Sequence, residues 1–341
     1  MVLLLLLLAS LTSAEFLTPV HEHDNGKLPD LCRQDTVMSC DLVQIDVASL
    51  HNSTLDFLGT NLSFLDQPGK NTFTFSSEDG DEATFTVDIK LGAVWGHAQL
   101  ADGRDFIIEP NLDNCNGCHV IIEENEEAFP QDHAVVPPEE AETRSSREWT
   151  RTHTRASDLL EMGKTDKTTV VTYTIKLYYT PEVRESVPDL RTMADQVIAT
   201  TNQGYINSKI PLRARLHCTE ETEEPESYFT AIDDVNAITL FTKYKGGDND
   251  LRGSADAAVL IVKKAVAVCG IAYKLRDASN YGKMMLSMTQ LSCALGGYTF
   301  GHELGHNMGL DHDKYSNGGR NTPYSQGYHL PGTEFRTILA L

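Results

Sequence analysis

Residues 302–312 read His-Glu-Leu-Gly-His-Asn-Met-Gly-Leu-Asp-His, and this run decides how the rest of the chain is interpreted. His302 and His306 stand four positions apart, so a helix carries both side chains on one face, one turn apart. Gly309 lets the chain leave that helix through a backbone conformation that other residues resist. The turn brings His312 round as a third nitrogen ligand. Three protein ligands leave the fourth zinc position open, which is typical of a catalytic site.

The run therefore predicts a Zn²⁺ site with three ligands: His302, His306 and His312. We expect Glu303 to be the general base, because it follows the first ligand and can reach a zinc-bound water without binding the metal. A bare His-Glu-x-x-His pair has a second interpretation, two surface histidines on an amphipathic helix. The extended form, with Gly309 and a third histidine, is much rarer and favours the zinc site.

With an aspartate directly after the last histidine, the run resembles the metzincin zinc metallopeptidases and their reprolysin (adamalysin) branch. Residues 171–181 are similar to the opening strand of that catalytic domain. Residues 269–273 and 293–298 are similar to the segments that flank its cleft. Among the members, the chain looks closest to the peptidyl-Asp metalloendopeptidase-like group. The resemblance covers roughly residues 168–341.

The resemblance implies a metzincin-like α/β catalytic domain, with a mixed twisted sheet and an active-site helix. It also implies that the segment near Gly270–Lys274 is the edge strand above the zinc, where an extended peptide pairs by β-augmentation. Asp313 is expected to brace the turn behind the ligands rather than take part in the chemistry. Cleavage before acidic residues is the substrate preference that the resemblance implies.

The chain departs from the family pattern beneath the metal. There the family has a turn that contains a methionine, after a stretch like Phe335–Ile338, and here the corresponding position holds Leu339. A leucine fills a similar volume, so we expect the change to be tolerated. The family's domain continues past this turn with a helix and the wall of the S1′ pocket. We therefore expect the catalytic domain to be incomplete at Leu341.

The length of 341 residues suggests about two domains. Residues 2–9 are an apolar run too short to span a membrane, and small residues follow it through Ala14. We predict a secretory signal peptide over residues 1–14, although a basic residue before the apolar run is missing; the alternative is a buried N-terminal helix. No later segment is long and apolar enough to cross a bilayer. We therefore expect a secreted, extracellular protein without a membrane span.

The net charge of −21 is concentrated in the first part of the chain. Residues 15–150 hold 27 acidic and 7 basic side chains, a net charge of −20, and the remainder carries −1. No basic patch is present, which argues against nucleic acid as a partner. An acidic, removable first domain fits a solubilising pro-segment.

Residues 15–130 predict a β-rich pro-domain. Residues 72–75 alternate apolar and polar side chains as half-buried strands do, and residues 95–109 predict a hairpin that turns at an Asp-Gly pair. Two Asn-x-Ser/Thr triplets, at Asn52 and Asn61, are candidate glycosylation sites on this domain.

Residues 131–167 form a polar stretch without periodicity, which predicts a linker. It contains Arg144-Ser-Ser-Arg147, a pattern that a processing protease recognises in an exposed segment. The alternative is a solvated flexible tether. Cutting at this linker would free the second domain.

Residues 168–341 alternate strand-like and helix-like patterns, which predicts an α/β domain. The predicted strands are 169–179, 211–218, 257–262 and 284–289, and the predicted helices are 189–206 and 231–244.

The cysteines favour disulfides in an exported chain. By proximity alone, we predict three pairs: Cys32–Cys40, Cys115–Cys118 and Cys269–Cys293. This leaves Cys218 unpaired. Residues 115–119 also match the Cys-x-x-Cys-His pattern of haem attachment, which nothing else in the chain supports. A third interpretation is a cysteine switch, in which a free thiolate of this pair binds the open zinc position.

These features predict a secreted zinc endopeptidase that is synthesised as a zymogen. Its expected partners are protein or peptide substrates, its own pro-domain as an inhibitor, and a processing protease at Arg144–Arg147. The alternative is a catalytically inactive secreted binding protein on a metzincin scaffold, which Leu339 and the chain end support. The presence of all three ligands and Glu303 favours the enzyme.

Overall fold

The computed structural model describes an N-terminal sheet and a C-terminal α/β unit. The described residues are 16–20, 32, 37–111, 117–125, 133–135, 170–230, 234–264, 268–275, 285–296, 298–313, 325–330 and 336–340. The predicted signal peptide and the predicted processing site at Arg144–Arg147 lie outside these ranges, so both stay predictions. Within these ranges, no helix is both long and apolar enough to cross a membrane.

The N-terminal unit is a nine-stranded antiparallel sheet, as the alternating patterns of this region predict. Its strands are β1 (Leu17–Pro19), β2 (Val37–Ile45), β3 (Thr54–Phe57), β4 (Thr60–Gly69), β5 (Thr72–Ser76), β6 (Glu82–Asp88), β7 (Ala93–Gln99), β8 (Asp105–Pro110) and β9 (Cys118–Glu124). They lie in the order β1-β2-β9-β8-β7-β6-β5-β4-β3. Neighbours in sequence from β3 to β9 are therefore neighbours in the sheet, which is a meander.

Both faces of this sheet carry buried apolar side chains, because alternate residues of a strand point to opposite faces. On one face, Phe73, Phe75 and Phe85 belong to the sheet's own core. On the other face, Trp95 and Ile107 belong to a cluster that also contains residues of the α/β unit. The two units thus share one hydrophobic core.

The α/β unit is built on a six-stranded mixed sheet. Its elements are β10 (His133–Val135), β11 (Val171–Tyr179), α1 (Pro181–Ser186), α2 (Leu190–Asn207), β12 (Leu212–Glu221), α3 (Glu226–Thr230), α4 (Asp234–Lys243), α5 (Asp248–Arg252), β13 (Ala257–Val262), β14 (Gly270–Tyr273), β15 (Leu286–Gln290), α6 (Leu291–Leu295) and α7 (Thr299–Asn307). The strand order is β10-β14-β15-β13-β11-β12, with β14 antiparallel to β15. The other pairings are parallel.

Local sequence explains the central elements. Every residue of β13 is buried, in keeping with the uninterrupted apolar run of a strand that is covered on both faces. Helix α2 begins where the side chain of Asp189 accepts a hydrogen bond from the amide of Arg191, at 3.0 Å. Its buried residues include Met193 and Val197, which belong to the core shared with the N-terminal sheet.

A short strand lies within the predicted linker, at residues 133–135. They form β10, which pairs in parallel with β14 in the register Ala134 to Ala272. Strand β14 is therefore not an edge in the described structure, although the family resemblance implied a free edge there. A pairing of three residues depends on backbone hydrogen bonds alone, so no side-chain pattern in a polar segment reveals it.

The disulfides follow the predicted pairs where the structure describes them. Cys32 is bonded to Cys40, and Cys269 to Cys293. Cys118 is also disulfide-bonded, and its predicted partner lies outside the described residues. Cys218 is a free, half-buried thiol on β12.

Candidate metal centre

Helix α7 carries the first two predicted ligands on one face, and a glycine turns the chain back toward them. Gly309 has a φ of 91°, a left-handed conformation that side chains other than glycine rarely adopt. Space also requires a glycine here, because a Cβ would lie 3.0 Å from the carbonyl oxygen of Leu275. The reversal brings His312 back against His302 and His306.

The three predicted ligands converge on one point. Each pair of Nε2 atoms among His302, His306 and His312 is separated by 3.0 Å. Their exposed fractions are 3, 0 and 4%. Among the residues that the structure describes, no other set of three His, Cys, Asp or Glu side chains is close enough to hold an ion.

The hydrogen bonds of the outer nitrogens leave the inner nitrogens as acceptors. Nδ1 of His302 donates to the carbonyl of Ile338 at 2.6 Å, and Nδ1 of His306 donates to the carbonyl of Leu310 at 2.9 Å. Each ring therefore carries its proton on Nδ1 and points the Nε2 lone pair inward. Lone pairs this close repel one another without a shared cation or proton. At roughly 2.0–2.1 Å from each nitrogen, one Zn²⁺ fits this triangle.

Burial also keeps two of the rings neutral. Burial, with a smaller contribution from the nearby His312 ring, lowers the pKa of His306 to about 3. Burial, together with the His306 and His312 rings, lowers the pKa of His302 well below its usual value of 6.5. Neutral imidazoles are the form that binds a metal, so at neutral pH no proton has to leave first.

The predicted general base lies beside the ligands and against β14. Glu303 is fully buried, and its carboxylate is packed against the backbone of Gly270. A Cβ at Gly270 would lie 2.7 Å from Cγ of Glu303, a separation that real Cβ contacts do not show. Glycine at this position is thus a condition for the observed placement of the carboxylate.

The turn beneath the helix packs closely. Leu339 is buried, and its Cδ2 atom would lie 2.9 Å from a Cβ at Gly305. The preceding carbonyl, of Ile338, is the acceptor for His302. Leu339, which the resemblance predicts to stand at the methionine position, therefore fills the space under α7, and its turn orients one predicted ligand.

The sequence did not reveal an ion pair behind the third ligand. Lys274 follows β14, Asp311 precedes His312, and the ammonium group contacts Oδ2 of that carboxylate. Asp313, the predicted brace, is also buried. The sequence contained two signals of this ion pair: a lysine at the end of a predicted strand and an aspartate within the zinc run. Only the fold brings the two side chains together.

Within the described part of the Cys-x-x-Cys-His segment, residues 117–119, His119 is bonded to the backbone and Cys118 to another cysteine. Nε2 of His119 accepts a hydrogen bond from the amide of Val94 at 2.9 Å, and Nδ1 donates to the carbonyl of Gly117 at 3.0 Å. Both ring nitrogens therefore have backbone partners. The disulfide at Cys118 also removes the free thiol that haem attachment or a cysteine switch through this residue would need.

Comparison with known proteins gives one family match, to the reprolysin-like metallopeptidases of family M12B, over residues 192–313. This segment contains all but the first two residues of α2 and the whole predicted ligand run. The match confirms the resemblance that the sequence motifs carry.

Three curated relatives share the name peptidyl-Asp metalloendopeptidase. Two from Stenotrophomonas maltophilia are 23 and 24% identical over 284 residues, or 79% of this chain and 62% of each relative. One from Xanthomonas campestris is 25% identical and covers 45% of this chain and 36% of the relative. The chain thus spans about 62% of the length of the first two.

Among solved structures, metalloproteinase-II from Bacteroides fragilis aligns with a TM-score of 0.45 at 12% identity. The alignment covers 75% of this chain and 78% of that one.

Proposed function

We propose that this chain, a metzincin-type metallopeptidase of the reprolysin-like branch, is a secreted zinc-dependent endopeptidase made in a latent form. The observation that carries the proposal is the convergence of three buried Nε2 atoms, 3.0 Å apart, beside the carboxylate of Glu303. The disulfides Cys32–Cys40 and Cys269–Cys293 support export, because such bonds persist in oxidising compartments.

His302, His306 and His312 would hold the metal. Bound Zn²⁺ supplies a polarised scissile carbonyl and a water whose pKa is lowered to about 7. Glu303 accepts the proton of the attacking water and later delivers it to the leaving amine. Such general acid–base help contributes about 10²–10⁴-fold to a rate. Burial of the carboxylate against Gly270 keeps bulk water from competing for that proton.

The test compares the wild-type protein with Glu303→Gln, each produced as the full-length chain and then cut at the linker. Cleavage of an unstructured protein substrate is measured with and without a zinc chelator, and zinc content is measured in parallel. We expect the chelator to abolish cleavage and Glu303→Gln to keep its zinc while losing at least about 100-fold in kcat. Equal kcat values for the two proteins would reject the mechanism, and a wild-type protein that binds no zinc would reject the metal centre.

For the substrate, we propose cleavage on the amino side of acidic residues. The name of the curated relatives supports this choice. So does Arg336, whose guanidinium donates to the carbonyl of Ala340 at 2.8 Å and contributes to the lowered pKa of His302. A cation beside the metal centre favours an acidic side chain next to the scissile bond.

The specificity test uses a set of peptides that differ only at the residue after the scissile bond. Wild type is expected to favour Asp over Asn by kcat/KM, and Arg336→Gln is expected to reduce that ratio at least about fivefold. Arg213→Gln, on β12, is the matched control. No preference for Asp in wild type would reject the proposed substrate class without touching the zinc mechanism.

The chain before β11 is proposed to act as the inhibitor of this site, through β10, which precedes the rest of the α/β unit in sequence. Extended substrates pair with a strand edge, and β10 already pairs along the outer side of β14. Strand β14 contains Gly270, which contacts the general base, so a chain segment covers the position next to the catalytic groups.

A further inference from the structure

Two opposite charges are buried directly behind the third ligand. The side chains of Lys274 and Asp311 are 7 and 5% exposed, and the ammonium group contacts Oδ2 of the carboxylate. Their positions in the chain differ by 37 residues, so the pair joins the end of β14 to the turn that follows α7. No contact with substrate follows from this placement.

Both oxygens of the Asp311 carboxylate have partners. Oδ1 accepts a hydrogen bond from the amide of His312 at 3.1 Å, while Oδ2 contacts the lysine. The backbone of Asp311 is also fixed on both sides. Its amide donates to the carbonyl of Ser325, and its carbonyl accepts from the amide of Gly327, each at 2.8 Å. The carboxylate therefore connects β14 to the backbone of the ligand residue itself.

The other end of this connection is β14. The carbonyl of Tyr273, one residue before the lysine, accepts a hydrogen bond from Asn307 of α7 at 2.8 Å. At the start of the same strand, Gly270 packs against the carboxylate of Glu303. One short strand thus contacts the general base at its first residue and the turn of the third ligand just after its last.

Stability alone does not explain the pair. Removing two charges from water costs several kcal/mol per ion, and hydrophobic replacements of buried pairs are often neutral or stabilising. A geometric role fits the observed contacts better, since hydrogen bonds behind metal ligands orient them. The simpler alternative is a structural ion pair that only fastens the turn.

We propose that Lys274 and Asp311 are positioning residues that set the place of His312 relative to the other two ligands and to β14. The proposal rests on the proposed metal centre. It assigns the pair no contact with substrate, and its consequence is tighter metal binding by a preorganised ligand set.

The experiment measures Zn²⁺ affinity of the full-length protein by competition with a chromophoric chelator. The main variant is the apolar double substitution Lys274→Met with Asp311→Leu, which leaves no uncompensated charge. A second variant with neutral polar side chains, Lys274→Gln with Asp311→Asn, covers the case in which the first does not fold. The matched control is Lys176→Met, because Lys176 forms an ion pair with Glu220 at 2.8 Å, away from the ligands.

We expect the folded double variants to bind Zn²⁺ about 10- to 100-fold more weakly than wild type, and the control to bind as wild type does. The visible absorption of the Co²⁺-loaded variants is expected to differ from that of wild type, because it reports the ligand geometry. Wild-type Zn²⁺ affinity and an unchanged Co²⁺ spectrum in a folded double variant would show that the pair is only structural. Failure of wild type to bind Zn²⁺ would instead overturn the metal centre, and this inference with it.

Discussion

At the scale of single residues, the metal centre depends on groups that are not ligands. The carbonyls of Ile338 and Leu310 fix the tautomer of two imidazoles, so the lone pairs face inward before any metal arrives. Gly309 lets the chain turn, and Gly270 makes room for the carboxylate of Glu303. Two glycines and two carbonyls therefore complete the site formed by the three histidines that the sequence predicts as ligands.

The contact between Gly270 and Glu303 predicts the effect of one added methyl group. Gly270→Ala would place a Cβ 2.7 Å from Cγ of Glu303, so the carboxylate or the strand must move. We expect kcat to fall by at least about 100-fold with zinc content unchanged, because the loss concerns the general base. Gly301→Ala is the control, since its Cβ would lie 3.4 Å from Thr201, an ordinary contact. Wild-type kcat in Gly270→Ala would contradict the assigned role of this contact.

His119 predicts an acid sensitivity that is separate from the metal centre. Burial lowers the pKa of His119 to about 4, below its ordinary value of 6.5. As pH falls below about 6.5, the unfolded chain gains a proton that the folded chain does not. The stabilisation is therefore complete above pH 6.5 and is lost progressively toward pH 4.

The measurement is urea unfolding of metal-free wild type and His119→Gln between pH 7.5 and 4. The amide of glutamine can replace both hydrogen bonds, to Val94 and to Gly117, but does not titrate. We expect wild type to lose free energy of unfolding relative to the variant as the pH is lowered. A difference that stays constant over this range would show that His119 is not the titrating group.

At the scale of elements, the sequence predicts those strands and helices whose pattern lies within one continuous segment. The apolar run of β13, the helical spacing in α2 and the ligand spacing on α7 are each contained in one segment, and each element is found. The pairing of β10 with β14 and the ion pair between Lys274 and Asp311 are not predictable in this way. They join segments far apart in the chain, and a three-residue backbone pairing leaves no side-chain pattern.

If β10 inhibits the site, substitutions that weaken its pairing with β14 should activate the uncut protein. In a parallel pair, alternate residues donate their amides to the neighbouring strand, so one of Ala134→Pro and Val135→Pro removes a bond to β14. The loss of one bond, about 1 kcal/mol, should raise the peptidase activity of the uncut protein about fivefold in that variant. His133→Ala keeps the backbone and is the control. Unchanged activity in both proline variants would argue against inhibition by β10.

At the scale of the whole molecule, the N-terminal sheet and the α/β unit form one structure. Helix α2 contacts the sheet through Gln196, whose amide donates to the carbonyl of Thr84 at 3.0 Å. Tyr298, next to α7, stacks edge-on against His97 of the sheet with ring centres 5.1 Å apart. The shared apolar cluster joins the same two units. Removal of the sheet would therefore expose the apolar surface of the helices that carry the metal centre.

This shared core predicts that the two units unfold together. Trp95 is 1% exposed and lies in the shared cluster with Val197 of α2 and Phe300 of α7. Trp95→Ala is expected to cost about 3–5 kcal/mol of unfolding free energy and to lower the stability of both units at once. Phe57→Ala, in the sheet's own core on the opposite face, is the comparison.

Far-ultraviolet circular dichroism and hydrogen exchange in α7 should follow one transition in wild type and in both variants. Two separate transitions, with exchange in α7 insensitive to Trp95→Ala, would mean that the sheet is only tethered to the catalytic unit and does not stabilise it.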